Sequence, residues 1–382
     1  MKSNKYPVIL SLLIILAYIG VLIALRINHE TDVKYKAYQD WQHQFIVKYN
    51  SKQDLINTIK NKKKPVALSE GQGYGMQIIA KAGQKGWAKQ SQFERLLAYY
   101  LENRITVKTD NNKAEKTYLM SWQQQYNKSQ KWVGSDQSAT DGDLYIAQSL
   151  LTAAKTWPQS ASKYRNLAKK IADDILKYEY NQKDKFLTTG SWVTKSSDYY
   201  QIMRTSDVMP SVFDNLHEVT KDSTWQTVNT NMLQYLSDLS ARNQSGLLPD
   251  FAVVSHSKAK PAKANSVAGA NDGDYSANAC RVPMMLADSS DKQAKKVLTK
   301  LMNFFKKQST ISAGYTLKGK SLNSQTMASF NAPIYYAASV NHDYGYDILF
   351  KNQKIILSDS MADLHYYDAT LTVLSILGGL ND

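Results

Sequence analysis

The amino-acid sequence predicts an all-α protein, with one apolar amino-terminal helix followed by a single large helical domain. Three observations carry that expectation. Of 382 residues, 43% are hydrophobic and 21% charged, the balance of a chain that folds around a core. Seventeen Gly and eight Pro fall below average usage and disfavour a turn-dense all-β design. Apolar residues recur at helical spacing along most of the chain, while strand-like alternation is scarce. The length beyond the apolar segment, at about 30 residues per helix and loop, accommodates on the order of a dozen helices. A lone cysteine, Cys280, excludes an intrachain disulfide and a Cys-rich zinc or iron–sulfur centre, and no metal or other cofactor is expected.

Taken in order, the first element is the run Pro7 to Leu25, PVILSLLIILAYIGVLIAL, which contains no charge. As a helix at about 1.5 Å per residue it spans about 28 Å, the thickness of a bilayer core. It continues into Arg26-Ile27-Asn28-His29-Glu30 rather than a small-residue cleavage site, and so reads as a retained transmembrane signal anchor over residues 7–25. Lys2 and Lys5 make residues 1–6 a positive stub, cytoplasmic by the positive-inside rule. Residues 26–60 then form a juxtamembrane segment and first helix, and 61–382 the main domain, extracytoplasmic in a single-pass membrane protein of a bacterial cell. The formal net charge of +14 faces the envelope in that topology, so an anionic envelope polymer is the expected neighbour and nucleic acid is not. A domain this large needs no disulfide to be stable outside the cell.

Trp41, Phe45, Ile46 and Tyr49 predict the first helix, which Lys62-Lys63-Lys64-Pro65 breaks as a solvated loop. Helical spacing returns at Phe93, Leu96, Leu97 and Tyr100, and at Ile146, Leu150, Leu151 and Ala154. It recurs at Leu167, Ile171, Ile175 and Leu176, at Met232, Tyr235 and Leu236, and at Val297, Leu301, Phe304 and Phe305. Ser255 to Gly273, rich in Ser, Ala, Lys and Asn, reads as an irregular insertion that adds little core.

Two segments stand out chemically. Ser69-Glu70-Gly71-Gln72-Gly73-Tyr74-Gly75-Met76 places a carboxyl among glycines, as a cleft rim needs where backbones approach closely. Tyr74 and Met76 supply an apolar wall, and partial burial raises the Glu70 pKa toward that of a general acid. The alternative is a helix start in which Ser69 caps and Glu70 complements the dipole. In Ala139-Thr140-Asp141-Gly142-Asp143, ahead of an apolar helix, one carboxylate suffices as a cap, which leaves the other free to project into a cavity. The run lacks the wider ligand series of a calcium loop.

The stretch from Ala139 to Trp157 resembles the signature of glycoside hydrolase family 8, and SEGQGYGM resembles that family's catalytic-acid segment. Gly246-Leu247-Leu248-Pro249-Asp250-Phe251 is similar to its G-L-x-P-D-W stretch, and Ala279-Cys280-Arg281-Val282-Pro283 to the tail of its Y-D-A-C-R-x-P-W block. The resemblance implies an (α/α)6 barrel with a substrate groove across one end, and inverting endo-hydrolysis of a β-1,4-linked polysaccharide. It implies that Glu70 is the acid and that Asp141 holds the sugar in a distorted ring at the cleavage subsite, with Asp143 a structural cap. It departs from the pattern at Asn278, which stands where the best-known members carry the Asp base. An amide cannot take a proton from water as a carboxylate does. Asp250 is the favoured replacement, with Asp274 and Asp272 as alternatives and Asp207 behind them. Tyr74, Trp132, Asn278, Arg281 and Tyr200 are the expected substrate-binding groups, and Trp122, Trp192 and Tyr199 are further stacking candidates.

Anchor and resemblance together predict a membrane-bound hydrolase that trims a self-made exopolysaccharide, with a polysaccharide synthase complex as a further partner. A catalytically silent polysaccharide-binding tether, and a cellulase or chitosanase acting on external polymer, are the alternatives.

Overall fold

The structure is a computed structural model that describes residues 6–108 and 113–380. Residues 1–5 of the expected cytoplasmic stub lie outside the described residues. Twelve α-helices occur among those described: α1 (Tyr6–Phe45), α2 (Ser69–Gln84), α3 (Gln90–Glu102), α4 (Thr140–Thr156), α5 (Ala161–Tyr178), α6 (Pro210–Thr220), α7 (Thr224–Ala241), α8 (Val282–Ala287), α9 (Lys292–Phe305), α10 (Ala328–Val340), α11 (Lys351–Gln353) and α12 (Tyr366–Ile376).

The even-numbered helices form a closed inner ring, each packed on the next and α12 on α2. Around it stand α3 on α2, α5 on α4, α7 on α6, α9 on α8, the segment Tyr346–Leu357 on α10, and α1 on α12. This is the expected barrel of six inner and six outer helices. The ring closes because its helices are apolar or small on every side. In α2 the run from Gly71 to Ala82 is buried throughout, and in α4 the run from Thr140 to Ala154. Outer helices bury one stripe, such as Tyr164, Ala168, Ile171 and Ile175 of α5.

Neighbouring inner helices run parallel. Gly142 of α4 lies beside Ser69 and Glu70, and Gly73 of α2 beside Tyr145. Ser329 N–H donates to Asp368 Oδ1 at one end of α10 and α12, and Tyr336 O–H to the Gly378 carbonyl at the other. All six amino termini therefore meet at one end of the barrel.

The first helix is longer and ends earlier than the apolar spacing predicts. It stops at Phe45, and Ile46 opens a short strand (Ile46–Lys48) paired with Asp54–Ile56, beyond which Tyr49 lies. Its last turns belong to the barrel: Trp41 and Phe45 are buried, and Trp41 Nε1–H donates to Thr370 Oγ1 at 2.9 Å. Its described apolar side chains between Ile9 and Ile23 are exposed. Counting only residues whose side chains are described, no helix is long and apolar enough to cross a membrane; Pro7, Val8, Leu10, Val21, Ala24 and Leu25 of the run fall outside that set.

Among the described residues, five small antiparallel sheets of two or three short strands each decorate the barrel. The segment read as an irregular insertion is partly a hairpin, in which Phe251–Ser255 pairs with both Ile202–Arg204 and Lys258–Pro261. Its remaining loop is closed by Asp272, so hydrogen bonding supplies the order that apolar composition does not.

Candidate active site

The amino-terminal end of the inner ring gathers Glu70, the second residue of α2, Asp141, the second residue of α4, and Arg281, just ahead of α8. Glycine makes the first two neighbours. A Cβ at Gly142 would lie 2.1 Å from Ser69 Oγ and 2.7 Å from Glu70 N, so only glycine lets the two helix starts approach this closely. Neither helix is capped by its own side chains. The residues ahead of the helices are Leu68 and Ala139, and Ser69 Oγ has no partner.

Arg281 is 1% exposed and binds the cluster together. Its Nη1 lies 2.8 Å from Glu70 Oε1 and 3.2 Å from Asp141 Oδ2, with the Tyr74 and Tyr145 hydroxyls at 3.3 Å. Its Nη2 donates to Ser206 Oγ at 2.8 Å and to Asn278 Oδ1 at 2.9 Å. A second guanidinium, Arg204, sits with Nη1 2.6 Å from Asp141 Oδ2 and 3.5 Å from Asp207 Oδ1. Sequence reasoning does not single out Arg204, Ser206 or Tyr145. Ser206 and Arg204 lie on a strand and tight turn with no periodic signal, and Tyr145 reads as one more apolar position of α4.

The pKa values of the two carboxyls are pushed in opposite directions. Burial pushes the Glu70 pKa up and the charge of Asp141 adds to it, against the pull of Arg281, so the net direction is upward. Burial also works against the charge on Asp141, yet Arg204 and Arg281 together hold its pKa below the usual carboxylate range. Glu70 keeps 23% of its side chain open to solvent and Asp141 only 7%. A proton donor at the rim beside a fixed anion is the pairing that acid-catalysed glycoside cleavage requires.

Behind them lie three more buried carboxyls. Asp143 does not cap α4; its Oδ1 accepts from Met120 N–H at 2.8 Å, and burial raises its pKa well above normal. Glu179 accepts from Ser138 O–H, and burial pushes its pKa up to about 8. Asp207 is fully buried and accepts no hydrogen bond, its Oδ1 facing Arg204 only as a 3.5 Å ion pair, and burial against the pull of Arg204 leaves its pKa at about 7.

The candidate bases differ in the oxygen they have left. Asp272 accepts from Val267, Ala268 and Gly269 N–H, with two contacts on each oxygen, so its carboxylate is occupied in closing its own loop. Asp250 accepts from Ser276 and Ala279 N–H on Oδ1, at 3.0 and 2.7 Å, but on Oδ2 only a 3.3 Å contact from Asn278 Nδ2. Asp274 is partly exposed, its pKa is raised by burial, and its backbone carbonyl accepts from Asp250 N–H. Asn278 thus bridges Arg281 and Asp250, linking the base side of the site to Glu70.

Aromatic groups stand around this end. Trp122, 38% exposed, receives the Ser69 N–H on its carbonyl at 3.0 Å, one residue ahead of Glu70. Trp132 is packed between Tyr49 and Tyr126, at 5.7 and 5.1 Å between ring centroids. Trp192 meets Tyr199 edge-on at 4.8 Å, and Tyr200 is partly exposed, its carbonyl bound by Asn181. A hollow of about 950 Å³ opens beside the starts of α10 and α12, where Met327, Asn331, His365 and Asp368 line it. Among the described residues no group of three or more His, Cys, Asp or Glu is placed to hold a metal ion.

Comparison with known proteins agrees with the fold. A β-glucanase of Niallia circulans is 33% identical over 316 residues, covering 78% of this chain and 71% of the relative. An endoglucanase of Bacillus sp. (strain KSM-330) is 28% identical over 322 residues, covering 78% and 65%. The chain spans about two thirds of the length of these relatives. The apo structure of a β-1,3-1,4-glucanase from Paenibacillus sp. X4 superposes with a TM-score of 0.77 at 28% identity, over 91% of both chains. A cold-adapted family 8 xylanase shares the fold, with a TM-score of 0.70 at 17% identity over 91% of both chains. The model of glycosyl hydrolases family 8 matches residues 19–379, nearly the whole chain, and the protein belongs to that family.

Proposed function

We propose that the protein is an inverting endo-glycosidase that cuts a β-linked polysaccharide, with Glu70 as acid. The observation that carries this reading is the Glu70–Arg281–Asp141 constellation, in which a partly exposed glutamate of raised pKa lies beside an aspartate held by two guanidiniums. In that mechanism Glu70 protonates the leaving oxygen, and Asp141 holds the sugar and faces the positive charge that grows on its ring. Water is activated by Asp250 through Oδ2, its less occupied oxygen, with Asn278 orienting the water or a sugar hydroxyl. Asp274 is the second reading for the base, because no side-chain hydrogen bond occupies its partly exposed carboxylate. Asp272, its oxygens spent on backbone N–H groups, falls away.

Reducing-end assays on a panel of β-linked polymers test the function. New ends that vanish in Glu70→Gln support it. Polymer binding without new ends, unchanged in Glu70→Gln, would instead support the silent tether, which the amide at Asn278 favours.

The cellular setting is part of the same proposal: an anchor over residues 7–25 holds the domain outside the cell, where it trims an exopolysaccharide beside its synthase. Support comes from the charge-free run and from the exposure of its described side chains. An enzyme fixed to its own membrane is poorly placed to digest distant fibre and well placed to meet polymer as it is secreted. Aggregation or biofilm that falls when the enzyme is added and rises when its gene is deleted supports this setting. Robust activity on plant glucan with no such phenotype would overturn it.

A further inference from the structure

The end of the barrel opposite the site carries an arrangement that catalysis does not use and that core packing uses only in part, through Tyr335 and Phe350. Helix α10 runs away from the site, the chain turns at Asn341–Gly345, and it climbs back through Tyr346–Leu357 toward α12. At the foot of this climb His342, Tyr346 and Phe350 form a column of stacked rings, with centroids 4.1 and 4.5 Å apart, that ends on Tyr335 at 4.9 Å. Ile348, 49% exposed, projects beside the column, and the exposed Lys351 pairs with Asp347.

This segment stands against α1. The turn Lys354–Leu357 packs on α1, and Lys354 Nζ lies 3.7 Å from Glu30 Oε2. Glu30 is five residues beyond Leu25, about 7.5 Å along a helix at roughly 1.5 Å per residue. A bilayer of about 40–45 Å with a hydrocarbon core of about 30 Å leaves roughly 5–7 Å of headgroups on each side. Lys354 therefore stands at the outer edge of the headgroups, and Tyr346 to Lys351, nearer the foot of the climb, stand lower. Stacked aromatics, an exposed isoleucine and lysines on long stems are the groups that settle at a membrane interface.

We propose that the segment His342–Lys354 is a second seat of the domain on the bilayer that α1 enters, resting Ile348 and the ring column in the headgroup layer. The proposal rests on the anchor reading above. With two contacts instead of one, the barrel is held upright on the membrane with its site pointing away.

The test uses the full chain in vesicles of phosphatidylethanolamine and phosphatidylglycerol, some carrying a spin label on the headgroup. Cys280 is the only cysteine and is fully buried, so a thiol-reactive fluorophore reports on an introduced cysteine. Three variants are labelled: Ile348→Cys in the seat, Arg26→Cys at the end of the anchor, and Lys63→Cys in the exposed loop near the site. The expected result is loss of fluorescence at 348 and 26, with 63 unchanged. Quenching at 26 without quenching at 348 overturns the seat and leaves the anchor standing. Equal quenching at 348 and 63 overturns the upright orientation. A chain that does not float with the vesicles and is quenched nowhere overturns both the seat and the anchor.

Discussion

Arg281 offers two hydrogens on Nη1 to four oxygens, so its charge is shared between Glu70 and Asp141 rather than spent on one partner. Arg204 adds a second cation to Asp141 and helps hold its pKa down, while burial raises that of Glu70. Replacing Glu70 by Gln removes that proton and should lower turnover by about 10²–10⁴-fold, with polymer binding retained. Because the Glu70 pKa is raised, activity should persist above the pH at which ordinary carboxyls ionise and fall on the alkaline side. The alkaline limb of a kcat/KM profile checks this, and an Arg204→Lys variant should move that limb. The deeper carboxyls make a separate prediction about stability. The pKa values of Glu179 and Asp207 are raised in the folded chain to about 8 and about 7, so between the ordinary carboxylate range and those values the folded state binds more protons than the unfolded one. Their contribution to stability is present below the unfolded pKa and lost as pH rises through about 7–8. Denaturation midpoints should decline across that window in the wild type and less steeply in Glu179→Gln, which keeps an acceptor for Ser138. A midpoint that rises through the same window would show the sign to be wrong.

The crossing of α2 and α4 makes the site possible, because Gly142 and Gly73 let two helix starts touch through their backbones. Alanine at Gly142 meets the Ser69 side chain and the Glu70 amide, and either α2 or α4 must move. A cost of about 1–3 kcal/mol in denaturant unfolding is expected, as for overpacked cores. The loss of kcat should exceed what that destabilisation explains, because the Glu70–Asp141 distance changes with it. If kcat holds in the folded Gly142→Ala variant, the close crossing is not what sets the site. The same crossing shows what the sequence makes legible. Outer helices α3, α5, α7 and α9 bury one stripe, so their apolar spacing announces them. Inner helices α10 and α12 are buried nearly all round and carry no stripe to read, so apolar spacing does not announce them. Glu70, Asp141, Asp250 and Arg281 are legible because four short motifs carry them. Arg204 and Ser206 are not, because they reach the site through a three-residue strand and a tight turn whose position depends on the whole barrel. Asp272 is an instructive case, because an acidic residue near the expected base reads as a candidate until its oxygens are seen to be taken by backbone N–H groups.

At the scale of the whole molecule α1 has two roles that divide near Glu30. Beyond it, Trp41 and Phe45 complete the core against α12, Trp41 Nε1–H bonds Thr370, and the Phe45 ring meets Tyr366 edge-on at 5.5 Å. Before it, the helix buries nothing among its described side chains. Some 20 residues separate Leu25 from Phe45, about 30 Å of helix at roughly 1.5 Å per residue, and Phe45 lies at the site's end of the barrel. If residues 7–25 are seated in a membrane as proposed, the site stands about that height above it, within reach of a chain emerging from a neighbouring synthase but not of the lipid surface itself. Deleting residues 1–28 should therefore leave a folded enzyme with unchanged kcat on short soluble oligosaccharides, since no core residue is removed. Trp41→Ala in the same background should cost about 3–5 kcal/mol, the usual worth of a buried aromatic, and lower the midpoint in denaturant accordingly. If the anchor serves to place the site, the two forms should part company only on polymer held at a membrane. There the full chain in vesicles should outpace the truncated one at equal concentration, because tethering raises the effective concentration without adding a contact. Equal rates on membrane-held polymer would remove the anchor's proposed purpose, and loss of oligosaccharide activity in the truncated form would show that the two halves of α1 are not independent.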